Sequence, residues 1–113
     1  MAKRLLLIRE TDRWVFEAIK AGQKTIETRA ATPKYQKIKI GDVLVFVCGQ
    51  DRLEKQVAGV SLFAGLDQLL AKIDLKEIMP SVSSPQDAKK IWYSFPNYRE
   101  KIKQYGLVAW RLK

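Results

Sequence analysis

The sequence predicts an α+β domain, a small mixed β-barrel with flanking helices. Three observations lead there. Segments with strand character stand at both ends, the continuous apolar run Leu5–Ile8 and the largely apolar Leu107–Leu112. A β-rich hairpin pattern fills residues 43–63. Between these, apolar residues recur at helical spacing. Strands at both termini and in the middle, with helices between, give a mixed sheet that curls toward closure. At 113 residues the chain suits one domain spanning 1–113 and is too short for two with proper cores.

Leu5-Leu6-Leu7-Ile8 has charged flanks and suits a strand covered on both faces. Thr11 is placed to cap a helix over Asp12–Ala21, with Asp12 in the favourable first turn and Gly22 just past the end. Trp14, Ala18 and Ala21 fall on one side of it, widened by Val15 and Ile19. Pro33 interrupts order between Arg29 and the basic stretch Lys34–Lys39. Gly41-Asp42 turns the chain into a buried strand, Val43–Val47. Gly49–Arg52 turns it back into Gln56–Phe63, which makes an antiparallel hairpin. Leu66, Leu69, Leu70 and Ile73 repeat at helical spacing, and Leu75–Met79 adds a further turn before Pro80. Ser84, with Pro85 at the first helical position and Asp87 three residues on, starts a helix that carries Ala88, Ile91 and Trp92 inward. Asn97 is placed to cap a last short helix through Gln104, which Gly106 stops before the closing strand. There is no internal repeat and no low-complexity segment.

Composition narrows the chemistry. Histidine is absent and Cys48 is the only cysteine, so an intramolecular disulfide, the common Cys/His zinc sites and any histidine base are excluded. Carboxylates are scattered, so no metal and no cofactor is expected. Proton transfer would fall to Lys, Glu, Asp, Tyr or Cys. The longest apolar run is far short of the roughly 20 residues that span a bilayer. The basic start before Leu5 resembles a signal peptide, but Arg9, Glu10, Asp12 and Arg13 end the apolar stretch too early, which makes the cytoplasm the expected compartment. Twenty-one Lys and Arg against twelve Asp and Glu give +9. Eleven basic against six acidic residues before position 53, and ten against six after it, leave +5 and +4, so no tail carries the excess. Such a balance attracts polyanions, RNA or phosphorylated nucleotides, without specifying sequence.

The most informative stretch is Gly22-Gln23-Lys24-Thr25-Ile26-Glu27-Thr28-Arg29. If extended, it sets Thr25, Glu27 and Arg29 on one face, with Lys24 and Ile26 on the other. A turn near Gly22 would swing Lys24 to the same side. Arg29 offers a planar fork, Lys24 a mobile point charge and Glu27 an acceptor for an exocyclic amine or a guanidinium. An ordinary edge strand bearing a surface Glu–Arg pair explains the same residues. No glycine-rich phosphate loop is present.

Phe16–Arg29, with its Gly-x-Lys-Thr-Ile-Glu-x-Arg core, resembles the N-terminal motif of the ASCH domain, a member of the PUA-like superfamily. The likeness runs through Ile40-Gly41-Asp42 and fits Tyr105-Gly106-Leu107-Val108 at the closing strand. It implies a small β-barrel with flanking helices and a cleft beside the motif that binds RNA, a nucleoside or a nucleotide. Lys24, Thr25, Glu27, Arg29, Trp14 and Tyr105 are then the candidate binding residues. One bacterial branch of the family hydrolyses the acetyl amide of N4-acetylcytidine with a lysine, a threonine and a distant glutamate. By resemblance the lysine is Lys24, but Glu27 stands where that branch has its threonine, and Glu77 is a poor match for the glutamate. An enzyme of this chain would use Lys24 and Glu27 as its catalytic pair, as a hydrolase of a modified nucleoside or a ribonuclease. A protein-interaction module is the third reading.

Trp14, Trp92, Tyr93, Tyr98, Tyr105 and Trp110 are candidates for stacking on bases. Trp14 is favoured as a pocket wall, and Trp92 and Trp110 as core. Cys48 reads as a buried, inert thiol. Lys34, Lys37 and Lys39 form either the rim of a basic groove or a solvated loop.

Overall fold

A computed structural model describes all residues, Met1–Lys113. Five strands form one sheet: β1 (Lys3–Leu7), β2 (Ile26–Ala30), β3 (Val43–Cys48), β4 (Asp51–Phe63) and β5 (Leu107–Leu112). Their order across the sheet is β1-β3-β4-β5-β2. The β1/β3 pair is parallel, with Lys3 opposite Val43, and the other three pairs are antiparallel. The sheet is therefore mixed, as the sequence predicts.

Curling comes from β4. Its first half pairs with β3 through Gln56, and from Val57 on it pairs with β5. A register shift between Val57 and Gly59 marks the bend. An extra residue there coils the strand, and glycine tolerates the local geometry. The sheet becomes a half-barrel that stops short of closing, since β1 and β2 remain its two unpaired edges.

Six helices flank it: α1 (Arg13–Lys20), α2 (Pro33–Gln36), α3 (Leu66–Lys72), α4 (Leu75–Ile78), α5 (Pro85–Ser94) and α6 (Tyr98–Tyr105). Alternation along β5 builds a core on each face. Val108 and Trp110 point into the half-barrel, with Leu6, Leu44, Phe46 and the α1 residues Phe16 and Ile19. Leu107 and Ala109 point the other way, against Leu69, Ile78, Trp92 and Ile102 of α3–α6. None of these helices is long and apolar enough to cross a membrane. The large exposed apolar side chains are Met1, Leu5, Leu7, Ile40, Leu62 and Tyr105, and none of them is on α5.

Several local expectations are corrected. Thr11 does not cap α1: Glu10–Asp12 form a 3-10 turn, Asp12 becomes the cap residue, and its carboxylate is held by Arg9 at 2.7 Å instead of by the helix. The buried stripe of α1 is Phe16 and Ile19, while Ala21 is exposed. Pro33 begins a helix, its fixed φ suiting the first position of α2. Asn97 precedes α6 in the left-handed conformation (φ 59°) and makes no side-chain cap. Ser84 does cap α5, accepting from the Asp87 N–H at 3.1 Å.

Gly106 ends α6 at φ +76°, and an added Cβ would overlap the Phe63 carbonyl oxygen. Gly106→Ala is therefore expected to cost more than about 1 kcal/mol. Thermal denaturation checks this, and an unchanged midpoint would contradict it.

Candidate functional site

The two open edges of the half-barrel are not sealed by backbone pairing. Between them lies a cavity of about 200 Å³, lined from β1, β2, α1, α4, α5 and the α5–α6 corner. Edge strand β2 sets its chemistry. Glu27 is opposite Trp110 and Arg29 opposite Val108, so both project from the half-barrel face of the strand. Ile26 and Ala30 pack in the outer core on the opposite face.

Gly22 turns the chain out of α1 at φ +81°, a conformation that glycine adopts without a steric penalty. The N–H groups of Gln23 and Lys24 both return to the Ala18 carbonyl, at 3.0 Å each. The Lys24 side chain is thereby brought to Glu27. Its ammonium donates to the carbonyls of Ile26 (2.8 Å) and Ile78 (2.7 Å) and lies 3.3 Å from Glu27 Oε1. Glu27 Oε1 also accepts the Thr28 N–H at 2.9 Å. Arg29 Nη2 is 3.5 Å from Glu27 Oε2 and donates across the seam to the Leu7 carbonyl at 3.2 Å. Arg29 Nη1 donates to the Tyr35 hydroxyl at 3.3 Å. Thr28 Oγ1 accepts from Trp92 Nε1 at 3.0 Å, which joins the strand to α5.

Apolar and aromatic walls complete the cavity: Trp14 and Val15 of α1, Met79, Trp92, Phe95 and Tyr98. At the same cavity, Arg9 is held by Asp12 and lies 5.7 Å from the centroid of the Phe95 ring.

The family model for the ASCH domain matches residues 12–113. The chain belongs to the ASCH domain family. Its structure is similar to the crystal structure of hypothetical protein PH0355, with a TM-score of 0.84 and 30% identity, covering 100% of this chain and 98% of that one. It is also similar to the solution NMR structure of protein PF0455 from Pyrococcus furiosus, with a TM-score of 0.74 and 28% identity over 97% of this chain and 96% of that one. No curated protein matches the sequence.

In this ASCH domain the motif residues divide. Lys24, Glu27 and Arg29 meet in one buried cluster at the cavity, and Trp14 lines the same space. Thr25 does not line it: its N–H donates to the Glu77 carbonyl, its carbonyl accepts from Leu112, and its hydroxyl is buried without a partner. Tyr105 lies at the end of α6, partly exposed and outside the cavity. The Glu77 carboxylate pairs with Arg111 and is likewise outside. Lys34, Lys37 and Lys39 do not line the cavity, and Lys34 lies over the Tyr35 ring. Cys48 is buried, and its thiol pKa is pushed up by that burial.

Arg9, Met79, Phe95 and Pro96 also line the cavity without a sequence signal. They come from loops and helix ends whose placement depends on the tertiary fold. Trp92 combines two roles that the sequence reading kept apart, since it is 1% exposed in the outer core and also borders the cavity.

Lys24 is 5% exposed, and burial lowers its pKa against the opposing pull of Glu27. Its three donors nevertheless face three oxygens. Deprotonation would turn a lone pair toward a carbonyl or a carboxylate, so the ammonium form satisfies the site. Burial alone would raise the Glu27 pKa, but Lys24, Arg29 and the Thr28 N–H outweigh it and hold the carboxyl below its ordinary range. Desolvation lowers the Arg29 pKa, but Glu27 together with Tyr98 and Tyr35 outweighs it and raises the guanidinium overall. The cluster thus carries two positive charges and one negative.

A carboxyl held below its unfolded value of about 4.5 contributes stability that is complete above that pH and lost as pH falls through the folded value. Stability is expected to decline on acidification below about pH 4.5, at up to about 1.4 kcal/mol per pH unit for one proton. Glu27→Gln should be less stable at neutral pH and show a shallower acid decline. Urea midpoints across the acid range measure this, and an unchanged acid slope would contradict it.

Proposed function

We propose that this ASCH domain binds RNA or a nucleotide by taking one nucleobase into the seam cavity. The observation that carries the reading is the pairing of aromatic walls with a buried Lys24–Glu27–Arg29 cluster in a chain of charge +9. The cavity, at about 200 Å³, is smaller than the roughly 300–1,000 Å³ of pockets that enclose drug-sized ligands. One ring system suits that scale, with sugar and phosphate left at the mouth beside Arg9. Trp14 and Phe95 offer faces for the ring. Glu27 Oε1 is occupied by Thr28 and Lys24, whereas Oε2 faces only Arg29 at 3.5 Å. It therefore keeps acceptor capacity for a base N–H. Arg29 commits donors to Tyr35 and Leu7 and keeps others for a base carbonyl or ring nitrogen.

Binding is favoured over hydrolysis by two features of the same cluster. A general base needs an available lone pair, and the Lys24 ammonium is fully engaged. The position where the amidohydrolase branch resembled by this motif carries a threonine is Glu27 here, an ion-paired carboxylate. The reading predicts saturable binding of short single-stranded RNA that weakens with salt, and recovery of the ligand chemically intact by mass spectrometry. No binding at low ionic strength would overturn it, and a chemically altered ligand would replace it with an enzymatic reading.

A further inference from the structure

Across the α5–α6 corner from the cavity lies a second hollow of about 460 Å³. Lys89 and Tyr93 of α5, Arg99 and Lys103 of α6, and Asp67 of α3 line it. Three cations thus face one carboxylate, and Lys89 already holds that carboxylate at 2.6 Å. Arg99 and Lys103 enter no ion pair. They stand four residues apart on α6, where like charges repel and are mildly destabilising in the absence of an anion. The Arg99 guanidinium lies 4.0 Å from the centroid of the Tyr93 ring. That stacking orients its plane and leaves its N–H donors free for an oxyanion.

Neighbouring residues divide between the two hollows. Trp92 borders the cavity and Tyr93 the second hollow; Tyr98 borders the cavity and Arg99 the second hollow. Only Phe95–Asn97 separate the two helices. We propose that the second hollow binds the phosphates of the RNA strand whose base occupies the cavity, with the strand passing over this corner. The inference rests on the base-binding reading of the cavity and adds a backbone site to it. Phosphate contacts position a strand without reading its sequence, so affinity should grow with RNA length and carry a salt dependence that Arg99 and Lys103 supply.

Fluorescence anisotropy with labelled single-stranded RNA of one, four and eight nucleotides, from about 50 to 200 mM salt, tests this. Replacing both Arg99 and Lys103 with Ala is expected to weaken the eight-nucleotide RNA about tenfold or more and leave the mononucleotide unchanged. At roughly 0.7 per phosphate contact on single strands, the slope of log affinity against log salt should fall by about 1.4. Asp67→Asn should tighten the longer RNA. All three side chains are exposed, so a parental melting temperature is the control for folding. A double variant with parental affinity and slope overturns the proposal. If Trp14→Ala still weakens the mononucleotide in that case, the cavity reading survives alone. If the double variant weakens the longer RNA while Trp14→Ala changes nothing, the hollow stands as a backbone site and the base-binding reading falls.

Discussion

Lys24→Met is expected to destabilise the fold by about 3–5 kcal/mol, the largest effect of any single change at the site. The ammonium is 5% exposed and ties three parts of the chain together: the Ile26 carbonyl on β2, the Ile78 carbonyl at the end of α4, and Glu27. Methionine keeps most of the side-chain volume and removes all three donors. Two buried carbonyls then lose their Lys24 hydrogen bonds, and Glu27 retains only Arg29, at 3.5 Å, to balance its charge. Removing one partner of a buried ion pair is costly because the other is left behind in a poorly solvating interior. Against a total stability of roughly 5–15 kcal/mol for a domain, the loss is large enough to leave a substantial unfolded fraction. Pairing the change with Glu27→Gln should recover part of it, because the stranded charge is gone. Urea denaturation of the parent, the single variants and the pair measures both quantities. A Lys24→Met variant within about 1 kcal/mol of the parent would contradict the account of Lys24 as a structural tether.

Trp14→Ala is expected to weaken binding of a nucleoside by about 1–3 kcal/mol, which is roughly five- to 150-fold, with the fold retained. Trp14 is half-buried on α1 and lines the cavity, whereas the helix is anchored by Phe16 and Ile19 on its buried stripe. Truncation removes a stacking face together with some packing against the outer core, so the melting temperature is read alongside affinity. Trp14→Phe should restore much of the affinity, because the loss is of an aromatic plane. Titration with nucleosides at constant salt measures this, and equal affinity for parent and Trp14→Ala would remove Trp14 from the site.

The regular elements were legible because their signals are local. Alternation and apolar runs mark β3 and β5, and the Ser84-Pro85-x-Asp87 pattern marks the start of α5. The start of α1 was misread because Thr11, a good cap by type, is taken into the 3-10 turn Glu10–Asp12, and Asp12, which then precedes the helix, is held by Arg9, a competition invisible in residue spacing. The motif was legible as a charged constellation, down to the turn at Gly22 that brings Lys24 to Glu27. Its separation into Lys24, Glu27 and Arg29 inside the cavity and Thr25 outside is settled before β2 begins: the turn after Gly22 brings Lys24 in, and backbone bonds to Glu77 and Leu112 fix Thr25, contacts that residue spacing does not show. Arg9, Phe95 and the unpaired edges of the half-barrel belong to the same category. They arise from how far the bend in β4 carries the sheet toward closure.

The most direct test of base binding in the seam follows the three indole N–H resonances by 1H–15N NMR while a nucleoside is added. Trp14 and Trp92 line the cavity, and Trp110 is fully buried in the half-barrel core and does not line it. Base binding in the seam predicts saturable shifts of the Trp14 and Trp92 signals with Trp110 nearly unmoved. Signals that stay still for every nucleoside, or shifts confined to Trp110, would contradict it.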